Sequence, residues 1–170
     1  MPWTIQPLNA SVEIAGFDCG EKSLNQFLQK HALNNDRAGL GRTFVAVEQG
    51  QTRVVGYFTI STGSVKFDTV PGHLEKRLPK YPIPTVHLGR LAVVLSCQGR
   101  GLGETLLVDA LRRAATASEG VGVYAVDVIA LHEKAKTFYL KYGFVEMLDA
   151  PLHLFLPIET ACLVAGIIRS

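Results

Sequence analysis

The clearest change of pattern along the chain lies across residues 98–103. From 88 to 95 the residues are mostly β-branched or aliphatic, which predicts a strand. From Leu102 onward the apolar positions Leu102, Leu106, Leu107, Ala110, Leu111 and Ala114 recur at helical spacing. Between the two, Gly99, Gly101 and Gly103 alternate with other residues and predict a tight turn. Upstream, residues 4–8 read as a first strand. Leu24, Phe27, Leu28 and His31 follow the i, i+3, i+4, i+7 spacing of an amphipathic helix, expected to fade in the polar residues 34–37. The β-rich runs 43–48 and 54–61, joined by polar residues 49–53, predict an antiparallel hairpin, with another strand ending near Val65. Residues 67–84, with Pro71, Pro79, Pro82 and Pro84, predict a loop or short helix. Downstream, 121–129 is a valine-rich strand. Ala135, Phe138, Tyr139 and Tyr142 share one helical face that stops at Gly143, and 152–156 is a last strand. The expected order is a helix, then antiparallel strands, then βαβαβ, a mixed α+β fold. A lone histidine such as His31 is more often a core or surface residue than a ligand, and it is assigned no role.

Composition narrows this picture without redirecting it. One hundred and seventy residues, 48% hydrophobic and 19% charged, suit one folded domain over 1–170 rather than a disordered chain. A net charge of +2 permits a nucleic-acid substrate but does not by itself predict one. Cys19, Cys97 and Cys162 are odd in number and far apart, so neither a disulfide framework nor a metal site is expected, and a reducing cytoplasm fits. The N-terminus lacks a basic start followed by an apolar run, as a secretory signal would need. The most apolar stretch, 161–168, is far shorter than the ~20 residues of a membrane span and reads as packing.

The chemistry suggested by the glycine turn is phosphate binding. Unpaired backbone amides in such a turn and in the first turn of the following helix, with the positive end of the helix dipole, suit a phosphate or pyrophosphate. Two familiar spacings fail: a dinucleotide fingerprint needs glycine where Glu104 stands, and a P-loop needs Gly-Lys-Ser/Thr where the chain has Gly103, Glu104 and Thr105. What stands is Gln98-Gly-Arg-Gly-Leu-Gly103. It resembles the acyl-CoA-binding signature of the GNAT acetyltransferase superfamily, Arg/Gln-x-x-Gly-x-Gly/Ala. A second segment, Ala135-Lys-Thr-Phe-Tyr-Leu-Lys-Tyr-Gly-Phe144, is similar to that superfamily's Ala-x-x-Phe-Tyr-x-x-x-Gly-Phe. A third group is Phe17-Asp-Cys-Gly20, Leu24, Phe27-Leu28, Thr43-Phe-Val45, Gly56-Tyr57 and Leu88-Gly-Arg-Leu-Ala-Val93. It resembles the GNAT toxins of bacterial toxin–antitoxin pairs.

The resemblance covers almost the whole chain. It implies a GNAT fold with a mostly antiparallel sheet, splayed at a parallel βαβ centre and flanked by helices. It also implies acetyl-CoA as donor, aminoacyl-tRNA as acceptor, a ribbon-helix-helix antitoxin as partner and a homodimer as an allowed assembly. Carried over position by position, Tyr139 is the general acid. Leu91, Ala92, Val93, Gln98, Gly99, Arg100, Gly101, Leu102, Gly103, Glu104 and Phe138 form the acyl-CoA site. Arg37, Arg42, Lys76, Arg77, Lys80 and Arg90 are the scattered candidates for nucleic-acid contact, with Arg100 also near the expected site. At the start of the tyrosine helix this chain has His132, where many members carry an acidic or amide residue. No side chain is an evident general base. Two alternatives stand beside this reading: an acetyltransferase for small or peptide amines, and a catalytically silent CoA-binding module in which Tyr139 only packs.

Overall fold

The computed structural model describes residues 2–75 and 78–167. The strands are β1 (Trp3–Pro7), β2 (Arg42–Glu48), β3 (Val54–Val65), β4 (Ile83–Val93), β5 (Ala125–Ile129), β6 (Val145–Glu146) and β7 (His153–Pro157). They form one seven-stranded sheet in the order β1-β2-β3-β4-β5-β7-β6. The helices are α1 (Lys22–Gln26), α2 (Ala32–Arg37), α3 (Gly72–Glu75), α4 (Leu102–Ala117), α5 (Glu133–Leu140) and α6 (Ile158–Ala165). The chain divides into two compact units, Met1–Ser61 with Gly89–Ala110, and Thr62–Leu88 with Leu111–Ser170.

In the first unit β1 pairs antiparallel with β2, and β2 with β3, so the hairpin expected from the alternating runs is present. A bulge between Ala46 and Val47 shifts the register, taking it from Ala46↔Gly56 to Val47↔Val54. Gly56 is required there by close approach: a Cβ would stand 2.9 Å from Leu106 Cδ1 and 3.2 Å from the Ala92 carbonyl oxygen. Tyr57, wholly buried, packs against the edge of Phe17 with ring centroids 5.4 Å apart and donates its hydroxyl to the Leu24 carbonyl at 2.7 Å. On the opposite face of β3 from Tyr57, Phe58 stacks on Phe44 with ring centroids 5.3 Å apart, and Leu102 and Leu106 lie over Gly56; each large buried side chain contributes roughly 1.5–3 kcal/mol.

In the second unit β4 and β5 run parallel, in register from Thr85↔Ala125 to Leu88↔Val128. β5 pairs antiparallel with β7, and β7 with β6. Val65, Val70, Ile83, Ala125, Met147 and Phe155 pack together on one side, and α6 lies against β5 and β7. The apolar C-terminal run is therefore core: Ile158, Ala161, Cys162 and Ala165 are buried, although Leu163 is exposed.

Several boundaries differ from the sequence pattern. The first helix widens to a π-helical turn at Phe27–His31, resumes as α2 and ends at Arg37, the last of the polar residues 34–37. His31 is exposed rather than on the apolar face, because the extra residue of that wide turn rotates it outward. The strand expected near Val65 is the continuation of β3, and β5 starts only at Ala125. β6 is too short to show a period. All three cysteines are buried and free.

Candidate active site

The glycine turn is built as a rigid approach to the N-terminus of α4. Gly99 and Gly101 adopt φ of +77° and +88°, a region closed to most side chains, and nothing lies within 4 Å of where their Cβ atoms would stand. Bare backbone therefore faces open space on both sides of Arg100. Gly103 has no positive φ; it belongs to the first turn of α4. The amides of residues 99–104 lie where an α-helix supplies no acceptors of its own, and α4, at sixteen residues, aligns a full dipole behind them. These features fit the pyrophosphate of acyl-CoA.

The N-terminal residues that carried the resemblance turn out to buttress this turn. Asp18 Oδ1 accepts from the Gly20 amide at 2.9 Å and from Asn25 Nδ2 at 3.0 Å, while Asn25 Oδ1 accepts from the Cys19 amide at 2.9 Å. The Gly20 amide, then Asn25, hold the Asp18 carboxyl below its usual range. The loop so fixed accepts the Leu95 amide at the Asp18 carbonyl, 3.0 Å, and the Gln98 side-chain amide at the Cys19 carbonyl, also 3.0 Å. Gln98 Nε2 donates in addition to the Val93 carbonyl at 2.9 Å, closing the end of β4 onto the turn. The Gln98 side chain thus clamps the turn from within, and what position 98 offers a ligand is backbone. Arg100 lies with its guanidinium 5.8 Å from the Trp3 ring and 3.8 Å from Cys97 Sγ. Leu91 and Val93 are half-buried and Ala92 is buried on the last residues of β4.

The second unit supplies the tyrosine. His132 caps α5, its Nδ1 accepting from the Ala135 amide at 3.1 Å, which gives the histidine at this position a structural task. Tyr139 is 5% exposed, set edge-on to Phe138 and Phe144 at 5.2 and 5.4 Å. Burial pushes its hydroxyl above the ordinary value of 10, so it keeps its proton near neutrality. Gly143, at φ +94°, ends the helix as its motif predicts.

The basic candidates are not equivalent. Arg37 and Lys80 are exposed. Arg42 is committed to Asp36, at 3.0 Å from Oδ1 and 2.6 Å from the carbonyl. Arg90 lies flat over the Phe27 ring, 3.5 Å from its centroid. Lys76 and Arg77 lie outside the described residues.

One buried group belongs to none of the sequence motifs. Asp127, in the middle of β5 and 5% exposed, accepts three hydrogen bonds. Thr85 Oγ1 donates to Oδ1 at 2.7 Å; His87 Nδ1 and His153 Nε2 donate to Oδ2 at 3.1 and 2.9 Å. Burial alone would raise this carboxyl, but the bonds from His153, His87 and Thr85 outweigh it and hold it far below the usual range. His153 also donates from Nδ1 to Asp149 at 3.0 Å. Its bond to Asp127 raises its pKa, burial opposes this, and Asp149 raises it further. The available signal was one carboxylate in the otherwise apolar run of β5. Among the described residues no group of His, Cys, Asp and Glu is placed to hold a metal ion, and no helix is long and apolar enough to cross a membrane.

With the sheet, the turn and the tyrosine helix in view, the chain belongs to the GNAT acetyltransferases: the family model described as an acetyltransferase (GNAT) domain matches residues 11–153. A relative from Mycobacterium tuberculosis, strain H37Rv, named a tRNA-acetylating toxin, is 40% identical over 154 residues and 91% of each chain. A structure of AtaT complexed with acetyl-methionyl-tRNAfMet is 34% identical, with a TM-score of 0.89 over 95% of this chain and 98% of that one. A mutant AtaT toxin bound to acetyl-CoA and the C-terminus of the antitoxin AtaR is 32% identical, with a TM-score of 0.84 over 96% and 98% of the two chains.

Proposed function

We propose that this chain is an acetyl-CoA-dependent N-acetyltransferase, one acetyltransferase domain acting in the cytoplasm as a toxin that acetylates the α-amino group of aminoacyl-tRNA. The observation that carries the donor half is the glycine turn at the start of α4, bare of side chains at Gly99 and Gly101 and clamped by Gln98. The acceptor half is supported by the likeness to a tRNA-acetylating toxin and to AtaT with its acetylated tRNA. A small antitoxin of the ribbon-helix-helix class is the partner expected to neutralise it, as AtaR binds AtaT.

In this reading the amides of residues 99–104 hold the pyrophosphate, and the backbone of Leu91, Ala92 and Val93 pairs with the pantetheine arm and presents an N–H to the thioester oxygen. Bound acetyl-CoA supplies an acetyl group activated as a thioester. Phe138 flanks that arm, while Tyr139, kept protonated by burial, gives its proton to the departing sulfur. Arg37 and Lys80, which are exposed, and Arg90, propped on Phe27, meet tRNA phosphates. Arg42 contributes chiefly by fixing the end of α2 through Asp36. Incubation with labelled acetyl-CoA and charged tRNA tests this directly. Label on the aminoacyl group is expected, whereas label confined to small amines would favour the housekeeping alternative.

A further inference from the structure

The tyrosine helix α5 carries more positive charge than its packing uses. Of the charged groups on this helix and on β6 after it, Lys136 is partly buried and holds Glu146 at 3.2 Å, and Glu133 stands in the first turn, where the helix dipole favours an acid. Lys134 and Lys141 are exposed, and among the described residues neither makes an ion pair. Lys141, at the C-terminal end, is where the dipole favours a cation. Lys134 is in the first turn, where the dipole disfavours one, so helix stability does not account for it.

The two lysines share one line along the helix. The backbone stays helical through Lys141, at φ −60° and ψ −25°, and a separation of seven positions is close to two turns, so Lys134 and Lys141 lie one above the other. Their line runs beside the aromatic edge of the helix. Lys141 Nζ is 5.8 Å from the centroid of the half-buried Phe138 ring and 6.0 Å from that of Tyr142, within reach of cation–π attraction, so the rings steady an otherwise free ammonium. Phe138 in turn is set edge-on to Tyr139, centroids 5.2 Å apart. A single ring therefore separates the Lys141 ammonium from the tyrosine assigned to proton transfer.

From this placement we infer that Lys134 and Lys141 bind backbone phosphates of the unpaired 3′ end of charged tRNA; the inference rests on the aminoacyl-tRNA reading above. The amine acetylated beside Tyr139 belongs to an aminoacyl group esterified to the terminal ribose, so the phosphates that come nearest to α5 are those of the last nucleotides. Two ammonium groups in line suit such a strand. Lysine acts on phosphate as a point charge, and single strands are held by cations along the backbone interleaved with aromatic side chains. Phosphate contacts read no sequence, so the pair serves every charged tRNA alike and leaves the choice of amino acid to other residues.

The test is steady-state acetyl transfer over a range of salt concentrations, on charged tRNA and on a charged acceptor-stem minihelix with the same 3′ end. It compares wild-type protein with two double variants, Lys134→Gln with Lys141→Gln and Lys134→Arg with Lys141→Arg. Loss of two phosphate contacts flattens the dependence of log KM on log salt by about 1–2. It also raises KM for charged tRNA roughly tenfold at about 0.15 M salt, equally on the minihelix, while KM for acetyl-CoA does not change. The arginine variant keeps both charges and stays close to wild type. A wild-type KM and salt slope in the glutamine variant overturns the proposal. So does a rise confined to acetyl-CoA, which would give the lysines to the donor's phosphates, or a rise absent on the minihelix, which would place the contact elsewhere on the tRNA. If wild-type protein acetylates another amine and not charged tRNA, the acceptor reading fails by itself, and fluorescence anisotropy of charged-tRNA binding judges the lysines. Weaker binding by the glutamine variant then upholds them, and equal binding, or none by wild-type protein, overturns them.

Discussion

Single residues divide here into those that touch the chemistry and those that hold the touching residues in place. In the proposed mechanism Tyr139 is of the first kind: Tyr139→Phe keeps the ring packing against Phe138 and Phe144 while removing the proton. Turnover is expected to fall by roughly 10²–10⁴-fold with acetyl-CoA affinity retained, as stopped-flow kinetics and calorimetry would show. Gln98 is of the second kind, although its position in the motif suggests ligand contact. Gln98→Ala leaves the Cys19 and Val93 carbonyls without their donor, so unfolding free energy in urea should drop by about 1–3 kcal/mol. Gly101→Ala puts a Cβ at φ +88° in open space, so the loss is conformational, about 1–2 kcal/mol, and acetyl-CoA binding should weaken with it. The motif letters showed that positions 98, 101 and 103 matter. That one is a clamp, one a left-handed turn and one a helical glycine depends on backbone angles and on a loop 79 positions away.

Elements whose period is long or whose composition is strongly apolar were legible, and those defined by pairing were not. α4, the β2–β3 hairpin and α5 follow directly from spacing in the chain. Two-residue β6 and the Asp127 group do not, because His87, Asp127 and His153 look like isolated polar residues until the β4–β5 and β5–β7 registers bring them together. This group makes stability depend on pH. His153 is raised above its ordinary 6.5, so its contribution is complete below about that pH and is lost as pH rises through the folded value. Asp127 is lowered below its ordinary 3.8, so its contribution is complete above that value and is lost as pH falls through the folded one. Melting temperature should therefore decline on the alkaline side as His153 discharges, and His153→Gln should abolish that decline in calorimetric scans.

At the scale of the whole molecule, the donor was written more plainly in the sequence than the acceptor. A phosphate cradle needs a short run of glycines at a helix start, so it survives as a local motif. A tRNA-binding surface is assembled from dispersed cations, and at a net charge of +2 it leaves little trace in composition. If Arg37 and Lys80 contact phosphates, Arg37→Glu with Lys80→Glu should raise the KM for charged tRNA and flatten its salt dependence without changing that for acetyl-CoA. Expression of the wild-type chain should arrest growth, and Tyr139→Phe should relieve the arrest. The most direct measurement is the fate of labelled acetyl-CoA incubated with purified protein and charged tRNA. Label recovered on the α-amino group of the aminoacyl moiety is the predicted result, and charged tRNA left unlabelled while other amines are acetylated would contradict it.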